Sequence, residues 1–412
     1  MRRHRRLLAR VAGRTLRGNG LRDAHDESSG AVAGGPRCRV RVGLTRGPFG
    51  RRAGRPVSDV FPSAPSSPAV TRLERDAVPA EIVDQLRAGA IVAPPEVGII
   101  DLLGPGEGAI TCFQGLLTSD IEKPGDGAFV YGALLTPKGM LVVDGWAARL
   151  GSRVRFTVPV EGRERALTVL QRSVPPRLAR SSDRTEDTAV LRIAGAHAVA
   201  VMGAAGFPVP HGSNRVLEGS VSGIALEVAR SSDVAPFVFQ VTVAADHLAA
   251  MQRRLVDAGA HASTPEALEL ARILAGWPRL ASEVDEKTIP QEVRFDEIGG
   301  VSYTKGCYTG QETVSRLHFR GHANRHLRGL LFETDPPATP ASGWSAVTHE
   351  ERDVGRVTSV AWLPDGGGSV LGRWIGLAIV RREVPPGAIV RAAGREARVV
   401  ELPFDAPRVA PA

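Results

Sequence analysis

The chain has 412 residues, with 52 Lys or Arg, 44 Asp or Glu and a formal net charge of +8. Residues 1–70 contain 15 arginines, no lysine and four acids, a net charge of +11, which leaves −3 for the rest of the chain. The slightly acidic remainder argues against a nucleic-acid groove.

The length predicts two or three domains, and no apolar run is long enough to predict a membrane span. Three scattered cysteines indicate a reducing compartment, hence a cytoplasmic protein.

Residues 1–70 are rich in Arg, Gly, Ser and Pro and lack a hydrophobic period, which predicts a disordered basic tail. The tail could be an arm that binds RNA, and it is the only part of the chain for which we consider nucleic-acid binding. It could instead be an organellar presequence, which would place the protein in the mitochondrial matrix. A start codon assigned too far upstream is the interpretation that the Arg-over-Lys bias favours. We expect the tail to be dispensable for folding and ligand binding.

Residues 71–325 alternate helices with hairpin strands, which predicts an α+β body and not a doubly wound parallel sheet. We divide this body into two lobes, 94–172 and 173–325. The predicted helices are 81–87, 109–117, 164–171, 198–202, 245–257 and one that opens at Thr264-Pro265-Glu266 and ends before Gly276. The predicted strands are 97–102, 127–135, 140–147, 153–158, 189–193, 223–228 and 238–243.

Residues 326–412 change character, because short strands there are separated by Pro and Gly turns. This spacing predicts a small antiparallel β-barrel or sandwich as a separate C-terminal domain, and we expect the barrel. Its predicted strands are 327–332, 355–362, 374–380, 389–392 and 396–402.

The octapeptide at 305–312, Lys-Gly-Cys-Tyr-Thr-Gly-Gln-Glu, combines a lysine and a cysteine with a helix-start pattern. Thr309 and Glu312 fit a capping box, which would place Cys307 just before a helix N-terminus. Lys305 would lie on the same side of an extended segment as Cys307. Both effects favour a reactive thiolate. A small buried hydrophobe in a tight turn is the alternative for Cys307.

Two further residues stand out on the hairpin strands. Asp144 follows an apolar strand and could bind a ligand amine, or it could face water at a strand end. Tyr131 could stack on a flat ligand or belong to the core.

His318, His322 and His326 are four residues apart, but Gly321 interrupts the helix that would align them, and we predict no metal site. Phosphate-loop, dinucleotide and serine-hydrolase motifs are absent from the sequence.

The octapeptide resembles the signature of the YgfZ family of folate-binding proteins, which are relatives of the aminomethyltransferase (T-protein) of the glycine cleavage system. The resemblance continues from about Val97 to Phe404. It includes the segments 97–101, 113–121, 127–139 and 271–312 and the C-terminal strands. The resemblance implies three lobes around a central hole that holds tetrahydrofolate or a one-carbon derivative of it.

In the aminomethyltransferase a strand aspartate five residues after the hairpin glycine is catalytic, and it corresponds to Asp144. The resemblance also implies that Tyr131 and Arg272 line the folate hole, and that Cys307, with Lys305, is the functional thiol. YgfZ-type proteins support assembly or repair of iron–sulfur clusters in enzymes, including enzymes that modify tRNA. The implied partners are therefore iron–sulfur enzymes or cluster-assembly proteins.

Two departures separate this chain from the aminomethyltransferase. The segment 230–236, Arg-Ser-Ser-Asp-Val-Ala-Pro, lacks the glutamate that binds the pterin there. The core helix reads Arg-Ile-Leu-Ala-Gly from Arg272 to Gly276, where the transferase has Arg-Leu-Glu-Ala-Gly. These differences favour an accessory protein over an enzyme. A folate-dependent one-carbon transferase and a non-catalytic scaffold for iron–sulfur partners remain the alternatives.

Overall fold

The computed structural model describes residues 69–337, 345–365 and 372–404. Nearly all of the predicted tail, with Cys38, lies outside the described residues. Three β-sheets organise the described part of the chain, and helices pack on them. The α+β class is confirmed.

The first sheet is antiparallel and has five strands in the order β4-β5-β6-β3-β7. These strands are β3 (Val97–Leu103), β4 (Phe129–Leu135), β5 (Leu141–Leu150), β6 (Arg153–Pro159) and β7 (Arg180–Asp183). Two helices belong to this part of the chain, α2 (Gly108–Gln114) and α3 (Arg163–Ser173). The hairpin of β4 and β5 pairs Ala133 with Asp144 and thereby places Asp144 within a buried strand.

The second sheet has six strands in the order β12-β2-β8-β11-β10-β9, and β12 pairs with β2 in parallel. Its strands are β2 (Ile91–Ala93), β8 (Thr188–Ala194), β9 (Arg215–Val221), β10 (Ile224–Arg230), β11 (Phe239–Ala244) and β12 (His261–Ala262). The helices α4 (Ala198–Ala204) and α5 (Leu248–Asp257) contribute apolar side chains to its core, and α1 (Ala80–Ala88) leads into β2. The predicted helix over 245–257 begins later, because 245–247 form a 3₁₀ turn.

The third sheet closes into a six-stranded antiparallel barrel, which confirms the predicted barrel and adds a strand over 346–349 to the five predicted ones. The barrel is closed because β15 pairs with both β14 and β16. Its strands are β13 (Arg325–Phe332), β14 (Ala346–His349), β15 (Arg352–Pro364), β16 (Gly372–Arg381), β17 (Ile389–Ala392) and β18 (Arg395–Val400). One more strand, β1 (Thr71–Leu73), pairs with β15 in parallel. The first residues of the predicted body therefore pair with the barrel.

Two helices connect the sheets. The helix α6 (Pro265–Ala275) has Thr264 in an extended conformation before it, Pro265 at its first position and Gly276 in the left-handed region after it. These are the start and stop signals that predicted it. The helix α7 (Gln311–Arg320) leads to the barrel. None of the helices in the described ranges has the length and apolar character that crossing a membrane requires.

Candidate functional site

A cavity of about 140 Å³ contacts the first sheet, the second sheet and α6. The first sheet contributes Tyr131 from β4 and Asp144 and Trp146 from β5. The other walls come from β8, the segment before β11, α6 and the residues that follow α6, namely Arg192, Pro236, Phe237, Leu268, Glu269, Arg272, Trp277 and Arg279. The structure thus brings together Tyr131, Asp144 and Arg272, which the sequence predicted for one site.

Asp144 is a buried acid with one oxygen free. Its Oδ2 accepts a hydrogen bond of 2.8 Å from the hydroxyl of Tyr131. Its Oδ1 is buried and has no hydrogen-bond partner among the described residues. Burial is the largest cause that raises the pKa of Asp144 to about 6. A buried acceptor without a partner is costly, so this oxygen is available for a donor on a ligand.

The walls around Asp144 are aromatic. Trp146 and Trp277 stack with ring centroids 5.7 Å apart, and Tyr131 lies 4.6 Å from the ring of Trp277. Phe237 meets Trp146 edge to face at 5.1 Å. Flat apolar walls with a few polar groups suit a planar heterocyclic ligand.

Arg272 lines the cavity, but its donors are already used. Its Nε and Nη2 donate to the carboxylate of Glu269 at 2.9 and 2.7 Å. Nη2 also donates to Ser359 Oγ, and Nη1 donates to the carboxylate of Glu283 and the carbonyl oxygen of Trp277. These five hydrogen bonds account for all five N–H groups of a guanidinium. Arg272 therefore joins α6, the segment after it and β15, and no N–H remains for a ligand anion.

Arg192 is a cavity residue that our sequence analysis missed. It projects from β8, and its guanidinium lies 4.4 Å from the ring centre of Phe237. The available signal was an arginine inside an otherwise apolar strand, Val190-Leu191-Arg192-Ile193. An arginine in an apolar strand is ordinarily expected on the solvent face of that strand.

Lys305 is buried, and its ammonium group binds the backbone around the end of α2. It donates to the carbonyl oxygens of Gln114 and Leu117 at 2.7 Å and of Ser119 at 2.8 Å. Burial is the main cause that lowers its pKa to about 8. Because these bonds use all three N–H groups, Lys305 has none left to donate to the Cys307 thiolate. The predicted activation of Cys307 by Lys305 therefore lacks a hydrogen bond.

We expect Lys305→Met to destabilise the fold by about 2–3 kcal/mol, because it leaves buried carbonyl groups without donors. The measurement is the free energy of unfolding in urea. Lys138→Met is the matched control, since Lys138 is exposed on the β4–β5 turn, and it should change stability by less than about 0.5 kcal/mol. Equal stability of both variants would show that the three hydrogen bonds of Lys305 are not needed.

Cys307 is exposed and is not among the residues that line the cavity. The predicted capping box is wrong, because the N-cap of α7 is Gly310 and no side chain caps the helix. Gly310 has φ of 82°, and a Cβ atom there would lie 2.6 Å from the carbonyl oxygen of Thr136. The octapeptide thus packs against the β4–β5 turn, and it holds Lys305 inside while Cys307 faces outward.

The three histidines lie in different places. His318 is in α7, where it stacks on Tyr303 at 3.6 Å, whereas His326 is in β13 and His322 lies between the two elements. Among the described residues, no group of three or more His, Cys, Asp or Glu side chains has the arrangement of a metal site.

Comparison with known proteins gives the family. The GCVT N-terminal domain matches residues 96–298. The chain is 31% identical to the aminomethyltransferase of Rubrobacter xylanophilus over 305 residues, which are 73% of this chain and 79% of that protein. It is 33% identical to the tRNA-modifying protein YgfZ of Vibrio vulnificus over 129 residues, 31% of this chain and 38% of that protein.

The fold agrees with this result. The glycine cleavage system aminomethyltransferase T from Bartonella henselae superposes with a TM-score of 0.64 at 18% sequence identity, over 80% of this chain and 90% of that one. The predicted GcvT-like α+β fold with its C-terminal barrel is thereby confirmed. The chain belongs to the GcvT superfamily, the family of the aminomethyltransferase, and it fits a YgfZ-type member.

Proposed function

We propose that this protein binds tetrahydrofolate, or a one-carbon derivative of it, in the Asp144 cavity and supports iron–sulfur enzymes, including enzymes that modify tRNA. The observation that carries the folate proposal is the buried Oδ1 of Asp144, which has no hydrogen-bond partner in the described part of the chain and lies beside Tyr131 and Trp146. A reduced pterin offers ring N–H donors to such an oxygen and a flat face to such walls. The similarity to aminomethyltransferase and YgfZ proteins supports the same ligand class.

The pH dependence of folate binding tests this proposal. The pKa of Asp144 is about 6, so its carboxyl group accepts hydrogen bonds from a ligand fully above that pH and poorly below it. We expect tetrahydrofolate to bind about tenfold more weakly at pH 5 than at pH 7.5, measured by anaerobic titration calorimetry. In Asp144→Asn the loss of affinity between pH 7.5 and pH 5 should disappear. Any pH dependence that remains in this variant reports protonation of the ligand. Binding that is equally tight at both pH values would contradict the assignment.

The second part of the proposal concerns Cys307. Its thiol is exposed on the octapeptide and lies outside the cavity lining, so a partner protein can reach it without entering the folate site. We infer that Cys307 acts at the surface towards an iron–sulfur enzyme or a cluster-assembly protein, as an accessory function. Lys305 contributes by fixing the octapeptide, because its ammonium group bonds the backbone at α2. The scarcity of cysteine favours a cytoplasmic location.

A one-carbon transferase is the second candidate. It is favoured by Asp144, which lies in the cavity on the strand where the resemblance places the catalytic aspartate, and by the Rubrobacter relative. Against it stands the segment 230–236, which has no glutamate and contributes Pro236 to the cavity wall. Formation of methylenetetrahydrofolate in a glycine-cleavage assay with the partner proteins would favour the transferase.

A further inference from the structure

Three arginines line the Asp144 cavity, and their pairing differs. Arg272 contacts Glu269 and Glu283, and Arg279 contacts Glu161 and Glu269. Arg192 has no salt bridge to any carboxylate among the described residues, and its described hydrogen bonds both go to an amide. Among the three, Arg192 is therefore the arginine without a salt bridge in the described part of the chain, and the nearby charge of Asp144 only partly offsets the effect of burial on its pKa.

The geometry of Arg192 leaves part of its guanidinium open. Nε and Nη2 both donate to Oε1 of Gln240 at 3.3 Å, which are long hydrogen bonds. Both N–H groups of Nη1 and one of Nη2 have no partner among the described residues. The guanidinium lies over the ring of Phe237, 4.4 Å from its centre, and this contact restricts its position. Burial lowers the pKa of Arg192 to about 10, so the group remains charged at neutral pH.

Asp144 lines the same cavity, and among the described residues its carboxylate has an oxygen without a hydrogen-bond donor, where Arg192 has N–H groups without an acceptor. Its Oδ1 needs a donor, whereas Nη1 of Arg192 needs an acceptor, and the two side chains form no direct ion pair in the structure. They come from different sheets, Asp144 from β5 and Arg192 from β8. A neutral ring with an N–H next to a carbonyl oxygen satisfies both groups at once and adds no net charge to the cavity.

We propose that Arg192 and Asp144 form a donor–acceptor pair that recognises a ring N–H beside a ring carbonyl, and that Arg192 makes the cavity select 4-oxo pterins over 4-amino pterins. The inference rests on the proposed folate site and deepens it. A 4-amino group presents N–H donors where the guanidinium also presents donors, so the analogue leaves Arg192 unpaired. Arg192 thereby provides a polar contact in a protein whose segment 230–236 has no glutamate for the pterin.

The test compares two ligands that differ at one position, tetrahydrofolate and its 4-amino-4-deoxy analogue, by anaerobic titration calorimetry. We expect the wild type to prefer the 4-oxo compound by about tenfold or more. In Arg192→Gln the preference should fall to within about threefold, since a glutamine amide can turn to offer either a donor or an acceptor. Arg192→Lys keeps the cation and should retain more of the preference than Arg192→Gln. Arg172→Gln removes an exposed cation of α3 and should leave the ratio unchanged.

The outcomes separate the two proposals. If the wild type does not bind tetrahydrofolate, the folate site and this inference both fail. If the wild type binds it but Arg192→Gln keeps the full 4-oxo preference, the folate site stands and the role of Arg192 is overturned. If Arg192→Gln weakens both ligands by the same factor, Arg192 contacts another part of the ligand or only supports the wall, which also overturns the inference.

Discussion

Arg272→Ala should destabilise the protein by about 3–5 kcal/mol, the cost of removing one partner from a buried ion pair. Arg272 is 7% exposed and Glu283 is 0% exposed, so their charges are removed from water together. Without Arg272, the carboxylates of Glu269 and Glu283 lose the cation that they share in the core. Ser359 of β15 would lose its bond to α6 as well, so the contact between the body and the barrel should weaken.

Urea denaturation of the protein without ligand measures this effect. Arg172→Ala is the matched control, because Arg172 is exposed at the end of α3, and it should cost less than about 0.5 kcal/mol. A loss below about 1 kcal/mol for Arg272→Ala would contradict the structural role. An unaltered stability combined with weaker folate binding would restore the prediction that Arg272 is a ligand contact.

Cys307→Ser should leave the fold intact and abolish the ability of the protein to support an iron–sulfur enzyme in cells. Cys307 is exposed, so the change from sulfur to oxygen affects no packed contact, and the melting temperature should stay within about 1 °C. Folate affinity should also stay unchanged, because Cys307 does not line the cavity. The loss should appear only in complementation of a strain that lacks the protein.

Cys112→Ser is the control for Cys307→Ser. Cys112 is a partly buried residue of α2 that packs against the core, and we expect its serine variant to retain complementation. Full rescue by Cys307→Ser would show that the thiol has no function and that the octapeptide only shapes the fold. Reduced folate affinity in the same variant would instead connect the thiol to the cavity.

The sequence allowed much of the fold to be predicted, because local patterns specified the elements. Pro265 and Gly276 fixed the ends of α6, and the alternation after residue 325 predicted the barrel strands. The octapeptide was less predictable. The N-cap is Gly310 and not Thr309, and the carbonyl oxygen of Thr136 on the β4–β5 turn leaves no room for a side chain at residue 310. Such a long-range contact cannot be read from a local pattern.

The candidate site was also only partly predictable from the sequence. Asp144 and Tyr131 could be located because the resemblance placed them on adjacent strands, and they do meet in one cavity. The pairing of Arg272 with two glutamates depends on residues distant in sequence, and so does the lack of a salt bridge at Arg192 among the described residues. A sequence shows how many cations a chain has, but only the fold decides which of them are neutralised.

Asp144→Asn, measured for both stability and folate affinity at pH 7.5, tests the central claim most directly. The pKa of Asp144 is about 6 in the folded protein against an ordinary 3.8, so the folded state binds the proton more tightly. The stabilisation from that proton is present below the ordinary pKa and is lost as the pH rises through about 6. At pH 7.5 the charged carboxylate therefore costs stability, and the neutral asparagine should not lower the melting temperature.

Folate affinity should change in the opposite sense. Asparagine can still accept the hydrogen bond from Tyr131, but the charged acceptor for the ligand is lost, so tetrahydrofolate binding should weaken by about 1–3 kcal/mol. An undiminished melting temperature together with weaker binding is the result that we predict. Wild-type affinity in Asp144→Asn would contradict the account, because it would remove Asp144 from the folate site.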